Sequence, residues 1–121
     1  MPETVAVIGA SPKRERYSNK AIRLLAEYGH TVLPVHPAQQ EIEGLAVTPD
    51  INALPRGIDT VTMYVSPAHS GALLPALVAL QPRRVIFNPG AENPALEAGL
   101  RSAGIGVEEA CTLVLLRTGQ F

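Results

Sequence analysis

The strongest constraint on the fold is an alternation along the chain: short apolar runs ending at glycine or proline, separated by stretches with helical periodicity. Val5 to Ile8 is the first run, and it breaks at Gly9, as a strand buried on both faces of a parallel sheet does. From Ser18 the period changes. Ile22, Leu25, Ala26 and Gly29 fall at helical spacing, Lys20, Arg23 and Glu27 take the other face, and Gly29 closes the helix. Thr31 to Val35 is a second strand, stopped by His36-Pro37, and a weakly patterned polar crossover follows with a short strand near Leu45 to Val47. Asp59 to Val65 is the next strand. Ser66-Pro67 then supplies a cap and a proline at the first helical position, so a helix is expected there. Pro75 inside it removes a backbone donor and predicts a kink or two short segments. Arg84 to Phe87 is a strand ending in Asn88-Pro89-Gly90. Asn93-Pro94 opens a helix that stops at Gly104, Val107 begins a last strand, and Thr112 to Leu116 reads as strand or terminal helix.

Strands alternating with helices imply parallel strands joined by right-handed crossovers. The expected fold is a single α/β, Rossmann-like domain over residues 1–121: a parallel sheet of about five strands with helices on both faces. A length of 121 residues leaves room for one domain, and a hydrophobic content of 46% against 17% charged residues supports a packed core. A single cysteine, Cys111, excludes an internal disulfide, and no His or Cys spacing suits a metal. No apolar run reaches the roughly 20 residues of a membrane span, and the amino terminus lacks a signal-peptide pattern, so a cytoplasmic protein is expected. A net charge of −1 argues against a nucleic-acid surface. Whether a protein partner or a second copy binds is left open.

Sheets of this kind bind ligands beyond the carboxyl ends of their strands, where the strand order reverses. Those ends are Gly9 to Lys13 and Val65 to Pro67. Counting from Gly9, the dinucleotide fingerprint G-x-G-x-x-G meets Ser11 and Arg14 in place of two glycines, and strand two ends in Val35-His36-Pro37 without the acid that holds an NAD ribose. NAD is therefore disfavoured. GASPKRER has no second glycine or GK pair, which excludes a P-loop. The loop does carry charge: Lys13, Arg14, Arg16, Lys20 and Arg23 are five of the ten basic residues, opposed locally only by Glu15. Beside a helix N-terminus such a cluster suits a ligand with several phosphates, and otherwise it is a solvated helix face.

The segments VAVIGASPKRERYSNKAIRLL, TVLPVHP, TVTMYVSPAHSGALL and RVIFNPGAENPAL resemble the bacterial stand-alone CoA-binding proteins, relatives of the amino-terminal domain of the succinyl-CoA synthetase alpha subunit. The resemblance spans nearly the whole chain, and its specific parts are GASPK with a nearby serine, the V-x-P ending of strand two and the proline after Val65-Ser66. It implies that Gly9, Ala10, Ser11, Lys13 and Ser18 cradle the phosphates of coenzyme A, and Pro12 and Arg16 of the same loop are expected at the cofactor site with them. It further implies that Val35, His36, Pro37, Val65, Ser66 and Pro67 enclose the nucleotide; Asn88, Pro89 and Gly90 read first as a turn and second as a site for the pantetheine arm. The chain departs from the family in two places: Ala38 follows Pro37 where many members carry a basic residue, and NPG stands in place of the more usual QPG.

Beside these roles stand simpler ones. Gly9 is a turn glycine in any case. Ser11 suits a turn cap as well as a phosphate contact. His36 lacks a carboxylate neighbour in sequence and reads as a pocket wall or solvated residue rather than a catalyst. Glu108 and Glu109, adjacent on a strand, point to opposite faces and are no acid/base pair. Cys111, between two glutamates and an apolar run, reads as a structural thiol outside the phosphate loop. The expected function is non-catalytic binding of coenzyme A or acyl-CoA; the related ligases need further domains that this sequence does not contain. The alternatives are an acyl-CoA-dependent enzyme using Cys111 or His36, an NAD(P)-binding sensor, and an interaction domain with a vestigial site.

Overall fold

The computed structural model describes residues 2–121. Strands β1 (Thr4–Ile8), β2 (Thr31–Val35), β5 (Thr60–Met63), β6 (Arg84–Phe87) and β7 (Gly106–Glu109) form one parallel sheet in the order β2-β1-β5-β6-β7. β1 is flanked by β2 in the register Thr4 with Thr31 and by β5 in the register Val5 with Thr60. The sheet thus grows outward in both directions from β1 and β5, which is the switch point expected of this architecture.

The period of two along β1 divides the core. Val5 and Val7 pack with Ile22 and Leu25 of α1 (Tyr17–Glu27) and Leu116 of α5 (Thr112–Arg117), while Ala6 and Ile8 pack on the opposite face. That second face carries Leu77 of α3 (Leu74–Leu80), Leu96 and Leu100 of α4 (Pro94–Ser102), and a 3-10 turn at Ile51–Ala53. Helices on both faces are therefore present as the alternation requires. The ambiguous Thr112 stretch is helix, and it returns the chain to the α1 side.

Several expectations are refined. The strand expected over Asp59–Val65 is shorter, because only Thr60 to Met63 find partners on both sides, and the Tyr64 amide makes the last bond, to the Ile8 carbonyl, at 2.9 Å. Pro75 sits at the start of α3, where no intrahelical donor is lost, and the region divides into α2 (Pro67–Ser70), a 3-10 turn at Gly71–Leu73, and α3. Ser66 holds the N-cap position, yet its side chain makes no cap bond; its backbone carbonyl accepts the amides of His69 and Ser70. Asn93 does cap α4, its side chain accepting the Leu96 amide at 3.2 Å. The short strand near Leu45 is one arm of an unforeseen hairpin, β3 (Glu41–Ile42) with β4 (Leu45–Ala46), turned by Glu43 and Gly44, both at positive φ. The chain beyond it returns to the end of β2, where the Thr48 amide donates to Pro34 and the Thr48 carbonyl accepts from His36.

A hollow of about 340 Å³ lies at the amino ends of the strands, lined by Glu3, Asp59, Thr60, Arg83, Arg84 and Phe121. Its central cation is already committed. Arg84 bonds Glu108 at 2.6 Å and Thr60 at 2.9 Å, pairs with Glu3 at 3.5 Å, and lies 4.7 Å from the Phe121 ring centroid. This is a clamp tying β6 to four other parts of the fold, at the end of the sheet where such folds do not bind ligands.

Candidate functional site

At the opposite, carboxyl ends of β1 and β5 a cleft of about 240 Å³ is lined by Gly9, Ser11, Arg16, Tyr17, Ser18 and Tyr64. Gly9 is required here. Its φ is +85°, and a Cβ would come within 3.1 Å of the Tyr64 carbonyl carbon, so the two strand ends approach as closely as they do only because this side chain is missing. Ser11 accepts the Lys13 amide on its hydroxyl at 3.1 Å, closing a small turn. Behind it α1 begins without a side-chain cap, so the first amides of its amino end are left for an acceptor from outside the helix. The Ala10 amide, in contrast, is spent on the Val35 carbonyl at 3.3 Å and its side chain is buried beside α1, so the structure does not bring Ala10 to the cleft.

The basic run resolves into two groups. Arg14 pairs with Glu43 of the hairpin turn at 2.8 Å; Glu43 also accepts from Asn19 at 3.2 Å, Asn19 accepts from Arg23 Nε at 2.9 Å, and Arg23 donates to the Arg14 carbonyl at 2.9 Å. These four polar side chains and one carbonyl form a closed ring that locks the loop. The reading in which only Glu15 opposes the cations is thereby corrected: a carboxylate 29 residues away in sequence does so through the fold. Lys20 lies 5.1 Å from the Tyr17 ring centroid. Lys13 and Arg16 have no acidic partner among the described residues, and Arg16 lines the cleft.

Tyr17 and Tyr64 also line a neighbouring apolar chamber of about 250 Å³, completed by Asn88, Pro89, Cys111 and Leu113. Beneath it lies a buried polar knot. Asn88 donates to Thr62 Oγ1 at 2.7 Å and to the Met63 carbonyl at 3.0 Å and accepts the Thr112 amide at 2.9 Å, while the two threonine hydroxyls meet at 2.7 Å. All the hydrogen-bonding capacity of the amide hydrogens of Asn88 is used internally, so it builds the floor that holds Pro89 and Leu113 in place. Burial pushes the Tyr64 phenol up to about 12, against a smaller opposing pull from the Thr62 and Thr112 hydroxyls. The chamber wall is thus a neutral phenol at ordinary pH.

At the end of β2, His36 accepts the Ala38 and Gln39 amides on Nδ1 at 2.9 and 3.1 Å. An accepting Nδ1 carries no proton, so His36 is the tautomer with hydrogen on Nε2, and it shapes a turn. Val35 is buried in the core, Pro37 is exposed, and Val65 packs on the core margin. Pro12, Ser66 and Gly90 are exposed on loops at this same end of the sheet, and Pro67 is exposed at the first position of α2.

Residues 3–117 match the family described as the CoA binding domain. The chain belongs to that family. A curated relative of this CoA-binding domain is the ADP-forming acetate–CoA ligase I of Archaeoglobus fulgidus, 34% identical over 104 residues, which are 86% of this chain and 14% of the ligase. A second is a trans-feruloyl-CoA synthase from an unknown prokaryotic organism, 33% identical over 66 residues, 53% of this chain and 9% of the synthase. The chain therefore spans only a small part of the curated relatives it matches. Among solved structures, a crystal structure of an uncharacterized protein covers 100% of this chain and 99% of its own with a TM-score of 0.95 at 36% identity.

Sequence reasoning about the CoA-binding domain missed Tyr17, Tyr64, Thr62, Thr112 and Leu113 as builders of the site. Tyr64 was in view as part of a strand, and Thr62 sits two residues before it, but nothing in the spacing indicates that Thr112 closes on them from 50 positions away. Cys111 does lie outside the phosphate loop, yet it is half-buried in the chamber wall rather than remote from the cleft. Glu108 and Glu109 point apart as expected: Glu108 joins the Arg84 clamp, and Glu109 is raised above the ordinary carboxyl range by a hydrogen bond from its partner Glu97 and by the charge of that group. Among the described residues there is no cluster of metal-ligating side chains, and no helix is long and apolar enough to cross a membrane.

Proposed function

We propose that this chain binds coenzyme A or an acyl-CoA as a non-catalytic module. The observation that carries the reading is the adjacency, at one switch point, of a cleft bordered by Ser11, Arg16 and Ser18 and an apolar chamber, with Tyr17 and Tyr64 lining both. Coenzyme A has matching parts: a diphosphate with an adenosine on one side and a long, mostly uncharged pantetheine arm on the other. In a Rossmann-like sheet the adenosine runs toward β2 and the remainder toward the other half. The diphosphate would then meet Gly9, Ser11, Ser18 and the first amides of α1, with Lys13 and Arg16 supplying charge. His36 and Pro37 would border the ribose, and Pro89 and Leu113 the arm. NAD fits less well, because its second ribose and nicotinamide would enter an apolar chamber, and its adenosine ribose would find no acid after β2.

A second reading, an acyl-CoA-dependent enzyme, draws on one observation: the Cys111 thiol stands in the chamber wall. His36 offers it no support, since its accepting nitrogen is already occupied by two backbone amides.

The test is a pair of titrations with coenzyme A and pantetheine on the parent and on the Lys13→Ala/Arg16→Ala double variant, at two ionic strengths. Coenzyme A affinity should fall at least tenfold in the variant and become less salt-sensitive, and pantetheine binding should hardly change, because it has no phosphates to lose. Equal coenzyme A binding by both proteins would reduce the cations to a solvated helix face. A rapid one-to-one acylation of Cys111 by acyl-CoA would favour the enzyme instead.

A further inference from the structure

Resting on the reading just given, the charges around the end of β2 bear on one part of the ligand, the phosphate on the 3' position of the adenosine ribose. A site that recognises a ribose phosphate in this fold places an arginine or lysine near the end of the second strand. This chain places none there. Val35, His36 and Pro37 are followed by Ala38, Gln39 and Gln40, all three exposed and uncharged, and then by Glu41. His36 directs its accepting nitrogen inward to the Ala38 and Gln39 amides, which also consumes the backbone donors of that turn.

Arg14 is the basic residue of the loop that reaches toward this side, and it is bound to Glu43 at 2.8 Å. Glu43 is fixed in turn. It sits in the turn of the β3–β4 hairpin, only 20% of its side chain is exposed, and fully buried Asn19 donates to its second oxygen. The Arg14 guanidinium is thus already engaged by a carboxylate.

We propose that the site reads the diphosphate and the arm but not the 3'-phosphate, and that Glu43 sets this indifference by holding Arg14. The ligand class is therefore the pantetheine-bearing adenosine diphosphates, with coenzyme A and 3'-dephospho-coenzyme A bound about equally.

The experiment is calorimetric titration of coenzyme A and dephospho-coenzyme A into the parent, Glu43→Gln and Ala38→Lys, with thermal melts verifying that each is folded. Glutamine keeps an oxygen for Asn19 and loses the charge that holds Arg14. The parent should bind the two ligands within threefold of each other. Each variant should gain at least fivefold for coenzyme A and stay within twofold of the parent for the dephospho form. A parent preference for coenzyme A above threefold overturns the inference while leaving the proposed function standing. An indifferent parent whose preference neither substitution changes also overturns it, because the phosphate then lies elsewhere. A parent that binds neither ligand removes the underlying reading, and the inference with it.

Discussion

Asn88 and Thr112 are joined side chain to backbone, the amide oxygen of the first accepting the N–H of the second at 2.9 Å, and this bond ties the end of β6 to the start of α5. Because Asn88 also holds Thr62 and the Met63 carbonyl, replacing it with alanine leaves several buried groups unpaired. Each such group costs about 1–3 kcal/mol, so Asn88→Ala should lose about 3 kcal/mol in urea unfolding. A loss below about 1 kcal/mol, with native circular dichroism, would show that the knot does not hold the chamber floor.

Gly9→Ala tests the close approach of β1 to Tyr64. Both the positive φ and the 3.1 Å contact oppose a side chain, and the contact is with backbone that cannot swing aside. Destabilisation should exceed about 1 kcal/mol, whereas Gly57→Ala, which shares a positive φ but meets nothing within 4 Å, should cost less. Comparing the two melting temperatures separates the crowding from the dihedral strain.

Tyr64 yields a spectroscopic prediction. Its phenol is raised mainly by burial, to about 12, so its contribution to stability is complete below pH 10 and is lost as pH rises through about 12. Ultraviolet titration of the folded protein should show an ionisation step near that value, and Tyr64→Phe should lack it. Persistence of the step in the variant would assign it to another tyrosine.

Glu109 gives a pH dependence of the opposite kind from that of most carboxylates. Its folded pKa lies above the ordinary value of 4.5 because Glu97 first shares a hydrogen bond with it and then repels its charge. The protonated form is the one favoured by folding, so this stabilisation is present below the unfolded pKa and disappears as pH rises through the raised folded value. Thermal melts of Glu109→Gln should therefore depend less on pH from the ordinary carboxyl range upward than melts of the parent. Parallel curves for the two proteins would mean that the two carboxyls do not interact in solution.

Local sequence determined the elements of this protein because each is set by nearby residues. The apolar run before Gly9, the Pro94 after the capping Asn93 and the Gly104 stop act within a few positions, and the parallel sheet follows from their alternation. Gly9 and the carboxyl ends of β1 and β5 were legible for the same reason, since the rule for where such sheets bind ligands needs only strand order. The site chemistry was less so. Nothing near Ala10 in sequence indicates that its amide bonds the Val35 carbonyl, and nothing near Arg14 indicates that a hairpin whose strands are two residues each brings Glu43 to it. Tertiary structure alone decided which cations remain available, which tyrosine is partly buried, and that Thr62, Asn88 and Thr112 converge beneath Pro89. These depend on long-range hydrogen bonds between groups 24 to 50 residues apart, and no periodicity in the sequence records such a pairing.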